Sequence, residues 1–79
     1  MHEVWLKSMP QEALHTLERI IRKNNRSFTD SEVHALAKKA GHGQEILVRA
    51  LRMDEAAHNL VVEISMHGGV AEIREGTPA

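Results

Sequence analysis

Apolar residues fall along this chain in spacings that predict helices first and a strand pair last. Ala13, Leu14, Leu17, Ile20 and Ile21 recur at the three- and four-residue intervals of one helical stripe. Ser8-Met9-Pro10-Gln11 ahead of them has capping-box spacing, and Pro10 sits in a first turn that needs no N–H from it. Arg22 and Lys23 suit the negative end of the helix dipole, and Asn24-Asn25 suits its termination. A first helix is therefore predicted over about 9–24. Thr29-Asp30-Ser31-Glu32 is a second cap, followed by Val33, Leu36, Ala37 and Ala40 on one face and by Gly41 as a left-handed stop. That predicts a second helix over about 30–40. Arg26-Ser27-Phe28 before it reads as an extended stub.

After the short connection Gly41-His42-Gly43, the residues Ile46, Leu47, Ala50 and Leu51 form another helical face, and a third helix is expected over about 44–56. Residues 54–67 admit two readings. As a helix they place Ala57, Leu60, Val61 and Ile64 together. As a strand they form the β-branched run Leu60–Met66, which ends at Gly68-Gly69, a favoured two-residue hairpin turn. Centring a hairpin on that pair sets Ile64 opposite Ile73, Met66 opposite Ala71 and Glu63 opposite Arg74, which sorts one face wholly apolar. The hairpin, over about 60–66 and 70–75, is the reading preferred here. The fold class expected is α+β, with three helices and a C-terminal hairpin in one domain over 1–79; residues 1–7 and 76–79 are expected as loose ends, although Val4, Trp5 and Leu6 are apolar enough to fold back on the core.

Composition narrows the function. A chain of 79 residues has a thin core, and with no cysteine it has neither disulfides nor thiolate metal sites to support it. A second copy is one remedy, so a homodimer is expected. No apolar run reaches the ~20 residues of a membrane span, and the N-terminus lacks the pattern of a signal peptide, which points to a cytoplasmic protein. The net charge of −1 conceals an uneven distribution. Residues 19–52 hold eight Lys and Arg against three Asp and Glu, a local net of +5 between two acidic ends. Such a middle can meet a polyanion.

Helix, extended stub, helix, tight turn, helix and hairpin: over about residues 9–75 this order resembles the winged-helix domains of small bacterial and phage regulators. Within it, Ala37, Gly41, Leu47 and Ala50 resemble the helix-turn-helix pattern of Cro-type repressors, which places a small residue in mid-helix, a glycine at the turn and aliphatic contacts in the next helix. The resemblance implies a DNA-binding transcriptional regulator whose third helix enters the major groove of duplex DNA. Gln44, Glu45, Val48 and Arg49 would then face the bases with Arg52 a turn beyond, and Lys38 and Lys39 would hold phosphates beside His42 in the turn. Glu45, the apolar Val48 and the acidic residues Glu63, Glu72 and Glu75 support an alternative, a protein-interaction module without DNA binding.

No nucleophile elbow, phosphate-binding glycine loop or zinc-protease motif is present, so neither an enzyme nor a cofactor is expected. Glu12/His15 and Glu55/His58 have the Glu-x-x-His spacing of carboxylate-bridged di-metal sites. Glu12 and His15 lie opposite the apolar stripe of their helix, which makes them surface residues rather than ligands. Trp5 and Phe28 are the only aromatic residues, too few for a base-stacking platform.

Overall fold

Residues His2–Ser8 alternate in the period of a strand, and they form one, β1. Val4 and Leu6 point to one side and are fully buried, while Trp5 lies half-buried on the other. The computed structural model describes residues 1–76. After β1 come a 3₁₀ turn at Gln11–Ala13, helices α1 (Leu14–Asn24) and α2 (Asp30–Gly41), strand β2 (Ile46–Leu51), helix α3 (Asp54–Met66) and strand β3 (Val70–Glu75). The strands form one antiparallel sheet in the order β2-β1-β3. β1 is therefore the central strand, with Trp5 opposite Leu47 on one neighbour and Glu72 on the other.

The helices cover one face of the sheet. Leu17, Ile20 and Ile21 of α1, Val33, Ala37 and Ala40 of α2, and Ala57, Leu60 and Ile64 of α3 pack with Val4, Leu6, Ile46 and Val48 into a single core. Asn25 is the one buried polar residue among those described, at 8% exposure. Its side-chain amide donates to the carbonyls of Ile21 and Val48, both at 2.9 Å. Arg49 donates to the Asn24 carbonyl at 2.6 Å, so two contacts tie the end of α1 to β2.

The domain is a small α+β fold with three helices, as expected, but its order differs from helices followed by a hairpin. The N-terminal segment expected to be loose is the middle of the sheet. The third helix expected over 44–56 does not form. Ile46 and Val48 enter the core on alternate positions and Leu47 between them faces outward, so the segment has taken the period of a strand. A bulge at Val48 interrupts its pairing with β1. The hairpin expected over 60–66 and 70–75 is replaced by α3 and β3, and β3 pairs with β1 instead. The helical reading of 54–67 is the one realised, with Ala57, Leu60 and Ile64 buried on one face.

Three end signals were also reassigned. Ser8 belongs to β1 and caps nothing; Pro10 leads into the 3₁₀ turn without a side-chain cap. Gly41 is the last residue of α2, and the left-handed position is Gly43, with φ of 82°. Its N–H donates to the Ala40 carbonyl and that of Gln44 to Lys39, the pair of bonds that closes a Schellman turn. The same pair recurs after α3, where Gly68 (φ 82°) donates to Ser65 and Gly69 to Ile64. Gly68-Gly69 thus stops a helix and does not reverse a strand. The cap of α2 is as expected: Thr29 accepts from the Glu32 N–H and Glu32 accepts from the Thr29 N–H. Of the tail, residues 77–79 lie outside the described residues.

Deleting residues 1–8 should leave a chain that does not fold, because both edge strands lose the strand they pair with; circular dichroism and dispersion of the amide NMR spectrum check this. Thr29→Ala should cost about 1 kcal/mol in urea unfolding. The Thr29 N–H holds the Glu32 carboxyl below its ordinary range. A lowered folded pKa gives stability that is present at neutral pH and lost as pH falls through that pKa. The stability difference between the wild type and Glu32→Ala should therefore shrink on acidification.

Candidate binding cleft between the first two helices

α1 and α2 run antiparallel, joined by the connection 25–29. Their outward sides are tied at both ends. Gln11, in the 3₁₀ turn before α1, donates through Nε2 to the carbonyl of Gly41 at the end of α2, at 2.7 Å. Near the other end, Nδ1 of His34 lies 3.0 Å from a carboxylate oxygen of Glu18. Each pair of residues is seven apart on its own segment, about two helical turns or roughly 10 Å. Between the ties lies a cleft of about 330 Å³, walled by Leu14 and Ala37 and edged by Lys38 and His42. Leu14, Ala37 and Gly41 are its apolar part and Gln11, Glu18, His34, Lys38 and His42 its polar part, and its size is at the lower end of the usual range of roughly 300–1,000 Å³.

The sequence builds this cleft through small residues. Ala37 keeps the wall thin. Gly41 has none: a Cβ there would come within 2.9 Å of the Leu14 Cδ1. The rim carries unspent charge. Lys38 makes no ion pair among the described residues, while Glu18 is engaged by His34.

Two other surfaces, the open face of the sheet and a hollow between α1 and α3, are satisfied internally. On the face of the sheet away from the helices, the Arg74 guanidinium lies 4.7 Å above the Trp5 ring. Arg74 also bonds Glu72 and Glu45, Lys7 reaches Glu72 at 3.2 Å, and Trp5 Nε1 donates to Glu3 at 3.0 Å. Arg74, then Lys7, hold the Glu72 carboxyl below its ordinary range, and Glu45 and Glu72 raise Arg74 in turn. A smaller hollow between α1 and α3, about 90 Å³, is crossed by the Lys23–Glu63 ion pair at 2.7 Å.

The residues that the resemblance assigned to DNA are dispersed. Lys38 and His42 edge the cleft, and Lys39 is exposed beside them. Gln44 and Glu45 lie in the turn before β2, with Glu45 bonded to Arg74. Val48, expected on an outer surface, is in the core at 1% exposure. Arg49 is spent on the Asn24 carbonyl, and Arg52 is exposed between β2 and α3. A reading helix from which these side chains could project together is not formed.

Sequence reasoning missed Gln11, Glu18 and His34 as site residues. A seven-residue spacing on each of two segments was visible, but only their antiparallel packing pairs them. Neither Glu-x-x-His pair builds a metal site: Glu12 and His15 are exposed, and His58 Nδ1 lies 3.0 Å from the Asp54 carbonyl. Among the described residues no group of three His, Asp or Glu is placed to hold a metal ion, and no helix is long and apolar enough to cross a membrane. No protein-family model matches the chain, and no curated protein matches its sequence.

Gly41→Ala should be nearly neutral for stability, within about 1 kcal/mol, because the helical gain over glycine offsets the shift forced on Leu14. Methyl NMR should report a changed environment for Leu14, and the cleft should lose volume.

Proposed function

We propose that this domain is a protein-interaction module that takes a segment of its partner into the cleft between α1 and α2. The observation that carries the reading is a concave apolar wall, Leu14 and Ala37, beside Lys38, which makes no ion pair among the described residues. The cleft has room for one large side chain rather than an extended cofactor. The complementary partner segment presents an apolar side chain next to a carboxylate. Lys38 meets the carboxylate, Lys39 adds to the local positive field, and the apolar group displaces water from Leu14. So small a site supports a transient contact. The helix-turn-helix reading of the sequence drew its DNA contacts from a helix over 44–56, and it has no comparable surface to draw on.

A peptide array varying one apolar residue beside Asp, Asn or Lys tests this with purified protein. Peptides with the acidic neighbour should bind best, and Lys38→Glu should invert the preference. Amide shifts on titration should cluster at 11–18 and 34–42. Shifts confined to the sheet, or equal binding by wild type and Lys38→Glu, would overturn the reading.

A further inference from the structure

The sheet has two edges, and only one is blunted. On β2 the ladder is broken by the bulge at Val48, the Val48 carbonyl is taken by Asn25, and Arg49 bends to the end of α1. These are devices that protect an edge from further pairing. β3 has none of them. The irregularity in its pairing with β1 is an extra residue on β1, so Val70–Glu75 runs regularly and its outer side has no partner among the described residues.

The order of charges on β3 selects a partner. We propose that β3 pairs antiparallel with β3 of a second copy, extending the sheet to six strands across a two-fold axis at Ile73. Directly opposed residues must share a face, so only registers two residues apart are allowed. With Ile73 opposite its own copy, Glu72 faces Arg74 of the second chain and Arg74 faces Glu72. A slip of two residues one way sets Glu72 against Glu72; the other way sets Arg74 against Arg74. Opposed like charges are unfavourable, so one register is selected. The contact adds to the existing network. Arg74 uses its Nε on Glu72 and Nη2 on Glu45, and its Nη1 hydrogens have no partner among the described residues. Glu75, which opposes Ala71, is held by His2 at 2.9 Å.

The apolar surroundings fit the same arrangement. Val70 at the start of β3 is 54% exposed. In the paired register it lies opposite Gly76 of the second copy, which covers part of it. This inference is independent of the cleft, which lies on α1 and α2.

Sedimentation equilibrium on the full chain tests it. Wild type should form dimers at high protein concentration. Glu72→Arg and Arg74→Glu each place like charges at both contacts and should weaken association by roughly tenfold or more. Mixed together they restore both opposite-charge contacts, so the mixture should form heterodimers although neither variant associates alone. A monomeric wild type at millimolar concentration, a dimer indifferent to both variants, or a mixture no better than its components would overturn the proposal. Should either variant fail to fold, hydrogen exchange of the wild type decides. Protection gained with concentration within 70–75 supports the edge pairing, and its absence there refutes it.

Discussion

The position of β1 between β2 and β3 is the constraint on which the rest of the domain depends. One strand supplies the hydrogen-bonding partner for both edges, and its alternation divides the molecule in two. Val4 and Leu6 give the helices a surface to bury, while Trp5 anchors the opposite face. Among the described residues neither β2 nor β3 has another partner, so each exists as a strand because β1 is there to receive it. The contacts of Asn25 and Arg49 then fix α1 against β2 and thereby set where α2 can lie. A buried amide left unpaired is costly, and here both of its donors are satisfied.

That arrangement distributes reactive surface unevenly. The open face of the sheet would be a natural docking surface, with a tryptophan at its centre, but its own side chains cover it. Arg74 lies over the ring, and carboxylates from β3 and from the turn before β2 compensate Arg74. The helical layer is different. Where α1 and α2 meet, small residues leave a cleft that its two terminal ties bound but do not fill. A protein of this size has no deep interior to give to a ligand, so recognition is confined to such seams and to strand edges. Both surfaces singled out here, the seam between α1 and α2 and the edge of β3, are of that kind.

The charge distribution takes on a different meaning in three dimensions. The basic middle of the sequence is not a continuous basic surface. Arg22 pairs with Asp30, Lys23 with Glu63, and Arg49 with a helix-end carbonyl. Arg19, Arg26, Lys38, Lys39 and Arg52 are exposed and make no ion pair among the described residues, and of these Lys38 lines the cleft with Lys39 next to it in the chain. A cluster in sequence is divided over the surface, and one cation of it, Lys38, stands at the cleft.

What the sequence determined by itself was local. The stripe of α1 and the capping box of α2 follow from residues within a turn or two of one another, whereas the left-handed stops fall at Gly43 and Gly68 instead of at Gly41 and in a hairpin turn. Ile46–Leu51 and Asp54–Met66 were not decided locally. The first has apolar residues at both helical and alternating spacings, and the second is an amphipathic helix written in β-branched residues. Each took the conformation that buried its apolar side against what was already there: β1 offered a strand edge to one, and the sheet face offered a floor to the other. The cleft has the same origin, since Gln11 and Gly41, or Glu18 and His34, are neighbours only once the two helices fold back on each other. Tertiary burial outweighs propensities worth a fraction of a kilocalorie per residue, of order ~0.5 kcal/mol.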